Sequence, residues 1–229
     1  YTPFQNTGPN ALYDPASPDS VPLGGFYANF DPDGVNYGAS DQNGANLALS
    51  FRFGGMTLKS ITGYANVDDR FGFDLAGGGV DDSAGTTGLL IGSDSSLDQI
   101  SQEFQLLGKL GNSLDWQLGL YYLDEDGSQS YTGAGGFLFA EESNSQTRSY
   151  AVYGEGTYQL TEALSVTGGL RWTKDDKDYQ ISCTGIFCQG GPVDLNENWD
   201  EVTGKLAVNY QLNENQLVYL SFTQGYQSG

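Results

Sequence analysis

Two cysteines, several runs of adjacent acids and a few isolated charges are what this chain offers to chemistry. Cys183 and Cys188 enclose Thr-Gly-Ile-Phe in a polar stretch. Two Cys fall short of the four ligands of a structural zinc site, and the chain has no His to complete one. A Cys183–Cys188 disulfide is expected if that stretch lies in an oxidising compartment, with two free thiols as the alternative. The acidic runs are Asp68-Asp69, Asp81-Asp82, Asp124-Glu125-Asp126, Glu141-Glu142 and Asp175-Asp176. Hard carboxylate oxygens suit divalent cations, including cations that bridge to lipopolysaccharide. None of the runs has the spaced acids and central Gly of a calcium loop, and a solvated acidic rim is the alternative reading. Adjacent carboxylates diverge on an extended chain, which argues against the paired acids of glycoside hydrolysis.

Other chemistry is excluded by composition. Without His there is no Ser-His or Cys-His nucleophile and no imidazole switch. Nine Lys plus Arg against 29 Asp plus Glu leave a net charge of −20, which repels phosphates and argues against nucleic-acid binding. No cofactor motif is read. Aromatics reach 13%, too many for ordinary disorder, and 33 Gly disfavour helices. No apolar run is long enough for a transmembrane helix. The chain opens at Tyr1 without a Met or a basic leader and reads as a mature or partial chain.

What must position these residues is a set of strands. Residues 1–45 are rich in Pro, Gly, Asn and Asp and read as a loop-rich N-terminal segment; 46–229 read as strands. From there apolar residues alternate with period two, and about eight strands are expected. In 116–122, Trp116, Leu118, Leu120 and Tyr122 share a face. In 150–160 and 164–172 the apolar faces run from Tyr150 to Leu160 and from Leu164 to Trp172. In 202–212 and 218–222 they run from Val202 to Leu212 and from Val218 to Phe222. Residues 47–53 and 101–109 alternate more weakly, and 56–68 alternate poorly.

Connections are alternately short and long. Gly54-Gly55, 111–113, 161–163 and 213–215 are tight turns, whereas 69–98, 125–147 and 175–198 are long and polar. Short turns at one end and long loops at the other are the rhythm of an outer-membrane β-barrel. Charge follows it. Of the 29 acids, 24 lie in 1–45, 68–98, 124–147 and 174–201, and the apolar faces of the five clearest strands carry none. Aromatics sit near both strand ends: Trp116, Tyr158 and Tyr210 beside short turns, and Tyr122, Tyr150, Trp172 and Trp199 beside long segments. That placement suits interfacial girdles. The opposite faces carry Arg52, Glu103, Lys109, Glu155, Arg171 and Lys205, expected to line a wet lumen or to pair across strands. Small Ala151, Gly169 and Ala207 beside long Tyr153, Arg171 and Lys205 suit a wide interior better than a packed one. Loop aromatics Tyr131, Phe137, Phe139, Tyr179 and Phe187 are candidates either for ligand contact or for packing the loops together.

Four segments in order resemble the TonB-dependent outer-membrane receptors of the iron-complex type. They are Leu58-Lys59-Ser60-Ile61-Thr62-Gly63-Tyr64; Ser101–Leu106 with Trp116–Tyr122; Tyr150–Glu155 through Gly168–Asp175; and Val218–Gly229. The resemblance spans roughly 45–229 and implies a slice of a barrel of about 22 strands. It implies uptake of iron chelates or similar scarce nutrients, with lipid, lipopolysaccharide and a small-molecule chelate as partners. It also implies further strands, a plug and TonB energy coupling that this chain does not carry. The alternative is a small closed eight-strand barrel with a structural or adhesive role, in which the first and last strands pair. A barrel-borne enzyme ranks last, for want of a His base.

Overall fold

The computed structural model describes residues 37–74, 89–135, 139–185, 188 and 191–228. They form a single antiparallel sheet of eight strands, in which each strand pairs with its neighbour in sequence. The strands are β1 (Tyr37–Phe53), β2 (Met56–Asp74), β3 (Leu89–Leu110), β4 (Leu114–Gly135), β5 (Phe139–Gln159), β6 (Leu164–Gly185), β7 (Val193–Asn213) and β8 (Gln216–Thr223). No helix interrupts the described residues. β1 and β8 are the two edges and do not pair with each other, so the closed eight-strand barrel is not formed.

Local sequence explains the short end. Gly54 and Gly55 adopt φ of +53° and +81°, the left-handed pair that a two-residue hairpin needs and that side chains resist. Registers then run without a slip from β1 through β7, and among the described residues the only shift lies between Gln211 and Asn213. Aromatic rings laid over glycines help pin them. Trp116 covers Gly108 across β3–β4, and Tyr153 covers Gly119 across β4–β5, each filling the space a Cβ would take.

The strands are longer than their alternation foretells. β3, β4 and β6 each have 22 residues, roughly 70 Å of extended chain, whereas about 9–11 residues cross a bilayer. Most of the stretches read as long loops are strand. β1 begins at Tyr37, inside the segment assigned to loop; residues 1–36 lie outside the described set.

An unbroken register keeps every second residue on one face. The outer face carries Leu49, Leu58, Phe104, Leu118, Val152, Leu170 and Leu206; the inner face carries the residues between them. Ala151 is the one buried apolar residue among those described, and Leu120 and Leu170 stay 55% and 66% exposed. A one-layer sheet has no core of its own. Its stability has to come from the ladder and from whatever covers its two faces.

Candidate functional site

Below the line of Tyr64, Tyr122, Tyr150 and Trp172, every charged strand residue points inward: Arg52, Lys59, Glu103, Lys109, Asp115, Glu155, Arg171 and Lys205. All six charges singled out from sequence therefore share one face. The outer face there is apolar apart from a self-satisfied trio. Thr62 donates to Gln102 Oε1 at 2.6 Å, and Gln102 donates to Ser60 Oγ at 3.0 Å. That trio explains why 56–68 alternates poorly.

The inner charges are held by neighbours. Lys205 Nζ lies 2.9 Å from Glu155 Oε2. Lys109 reaches Asp115 at 2.6 Å near the short turn. Tyr153 donates its hydroxyl to Glu103. The Arg171 guanidinium sits over the rings of Tyr121 and Tyr153, at 5.5 and 5.7 Å from their centroids, and donates to Thr173 Oγ1 at 3.0 Å. Tyr121 and Tyr153 share the inward face with Arg171, and the sequence reading did not give them this role. The spacing of Tyr121 and Tyr153 opposite the Ala151 and Arg171 positions was the available signal.

Above the aromatic line the same inner face changes character. Tyr131 packs on Phe139, with ring centroids 5.6 Å apart. Phe71 stacks on Phe73 at 5.9 Å. Tyr179 faces Leu195, and Lys177 lies over Trp199 at 5.7 Å, so Trp199 belongs to this inner surface and not to the outer girdle. Thr147, Lys177, Tyr179, Leu195, Glu197 and Trp199 line a hollow of about 460 Å³. Asp175, only 8% exposed, lies beneath Tyr226 of the segment after β8; burial, and then Asp175, push the Tyr226 phenol up. Phe137 and Phe187 lie outside the described residues.

Alternation also splits the acidic runs. Asp69, Glu125, Glu141 and Asp175 point inward, while Asp68, Asp124, Asp126, Glu142 and Asp176 point outward; Asp81-Asp82 is outside the described residues. Arg148 pairs with Asp124 at 3.7 Å and Arg70 with Asp94 at 3.5 Å on the outer side. No group of three or more acidic or thiol ligands converges for a metal among the described residues. Cys183, near the end of β6, and Cys188, just beyond it, are joined by a disulfide, with Cα atoms 5.4 Å apart.

This wall is similar to known ones. The family model described as TonB dependent receptor-like, beta-barrel matches residues 1–229. The ferric yersiniabactin uptake receptor FyuA from Yersinia pestis superposes with a TM-score of 0.71 at 17% identity, covering 85% of this chain and 30% of that one. The ferric-catecholate import receptor Fiu from E. coli K12 in its open form gives 0.62 at 16% identity, covering 95% and 40%. The siderophore receptor PiuA from Acinetobacter baumannii gives 0.62 at 12%, covering 82% and 32%. These likenesses show the fold, and the chain spans about a third of the length of the receptors it matches. No curated protein sequence matches the chain significantly.

Proposed function

The chain belongs to the TonB-dependent receptor β-barrel family of outer-membrane proteins, and from that premise we propose that it forms part of the wall of a receptor that takes up iron chelates or similar scarce nutrients. One observation carries this reading. Below the aromatic line all strand charge points inward, and above it the same inner face opens into an aromatic-lined hollow. A charge facing the bilayer midplane costs about 2–4 kcal/mol for Arg or Lys, so the outer face belongs to lipid. The inner charges then line water, and the hollow above them is placed to meet a solute before it enters.

β1 and β8, the two edges of the sheet among the described residues, require further strands. Open backbone groups in lipid cost several kcal/mol each, so β1 and β8 pair with strands beyond these eight. Energy coupling through TonB and a plug belongs to that larger assembly. The role is binding and transport, not catalysis.

The test is iron uptake by the full-length protein, expressed in an outer membrane stripped of its own chelate receptors. Chelate-dependent accumulation of labelled iron, lost when the proton-motive force is dissipated, is the expected result. Iron accumulation no higher than in the stripped strain, across a panel of chelates, contradicts the reading.

A further inference from the structure

The vestibule formed by this part of the wall has a lopsided charge. Above the aromatic line, the inner face carries Asp69, Glu125, Glu141, Asp175, Glu197 and Glu201. Against them stands one base, Lys177, whose ammonium lies over Trp199 and donates to the Ser228 carbonyl at 3.4 Å. The hollow of about 460 Å³ lies on this face, lined by Lys177 and Glu197 and by the apolar surface of Tyr179, Leu195 and Trp199, with the other acids on the same face around it. Clefts lined by one sign of charge focus their field and raise or lower the local concentration of a charged solute. An anion entering here meets acids on β2, β4, β5, β6 and β7.

We propose that this vestibule receives a metal chelate that carries no net negative charge and presents an apolar face to Tyr179, Leu195 and Trp199. The proposal rests on the receptor reading above and narrows its ligand class. A trianionic complex, such as an iron(III) tris-catecholate, is repelled at the mouth. An uncharged iron(III) tris-hydroxamate is not, and its hydrocarbon backbone suits the apolar hollow. At about 460 Å³ the hollow falls within the roughly 300–1,000 Å³ of small-molecule sites.

The experiment measures binding of both chelates to the purified full-length receptor, at low salt and at about 1 M salt, where the Debye length falls to about 3 Å. The hydroxamate is expected to bind at least about tenfold more tightly at low salt, with the gap closing at high salt. The triple variant Glu125→Gln/Glu141→Gln/Glu201→Gln, at inner-face acids that do not line the hollow, is expected to raise tris-catecholate affinity by about tenfold and to leave hydroxamate affinity unchanged. Trp199→Ala is expected to weaken the hydroxamate by about tenfold. Should the triple variant fail to fold, the salt dependence of the unaltered receptor decides. Tris-catecholate binding as tight as hydroxamate binding at low salt overturns the charge inference and leaves the receptor reading standing. Binding of neither chelate overturns the inferred ligand class, while the receptor reading is decided separately by the uptake measurement across the panel of chelates.

Discussion

The lower and upper halves of these strands share one backbone ladder and differ in nearly everything else. In the lower half the two faces are opposites: Leu118, Leu120 and Val152 outward, and Glu103, Tyr153 and Arg171 inward. In the upper half both faces are polar and acidic, with Asp68, Asp126 and Asp176 outward and Asp69, Glu125 and Asp175 inward. The lower half is basic on its inner side, with Arg52, Lys59, Lys109, Arg171 and Lys205 against Glu103, Asp115 and Glu155. The upper half is acidic on both sides. Backbone hydrogen bonding therefore sets how far the strands run, and the solvent on each face sets which side chains they carry. A strand between lipid and water has to alternate; a strand in water on both sides is free of that demand.

The largest effect should follow from breaking the asymmetry of the lower half. Leu120→Arg puts a guanidinium on the lipid face and is expected to cost about 2–4 kcal/mol. Gln117→Arg, on the inner face of the same strand and opposite Glu155, is expected to stay within about 0.5 kcal/mol. Reversible unfolding of the full-length barrel from lipid vesicles measures both, and equal losses would remove the distinction between the faces.

The next effect tests what holds the lower ladder in register. A Cβ at Gly119 falls on the Tyr153 ring, so Gly119→Val has to push that ring away from Glu103. A loss of about 1–3 kcal/mol is expected. Gly38, with nothing within 4 Å of its Cβ position in the upper half, serves as the contrast. Gly38→Val is expected to be neutral or slightly stabilising in the same unfolding measurement.

Smaller still is the ion pair between Lys205 and Glu155, whose side chains are 43% and 38% exposed. Lys205→Met is expected to cost about 0.2–1 kcal/mol, because water screens a half-exposed pair. A loss well above that range in a double-mutant cycle with Glu155→Gln would mean that the inner face at this level is dry.

The lower half was legible in the sequence, and the upper half was not. Period two in 116–122, 150–160, 164–172 and 202–212 gave those strands and their faces, and the same face assignment placed Arg52, Glu103, Lys109, Glu155, Arg171 and Lys205 together. Alternation reports a difference between two environments. Above the aromatic line that difference vanishes, and runs such as Ser93–Ser96 or Asn144–Thr147 read as loop although the ladder continues through them. Trp199 was read as a girdle residue for the same reason: without contrasting faces nothing fixed its parity, and pairing with Asp175 turns it inward. Tyr131 and Tyr179 were picked out as loop aromatics and are strand residues on the inner face. The Tyr121–Arg171–Tyr153 arrangement needed cross-strand register, which composition does not carry.

Accessibility scanning along β4 tests the two-environment account most directly. Single cysteines are placed at each position from 117 to 130 in the cysteine-free full-length receptor, spin-labelled, and exposed in bilayers to oxygen and to a water-soluble paramagnet. From 117 to 122, leaving out 119 beneath the Tyr153 ring, the two reagents should alternate, with oxygen favoured at 118 and 120 and the water-soluble reagent at 117 and 121. From 125 to 130 the water-soluble reagent should reach every position. Alternation persisting through 130, or water access at 118 and 120 equal to that at 117 and 121, would contradict the account.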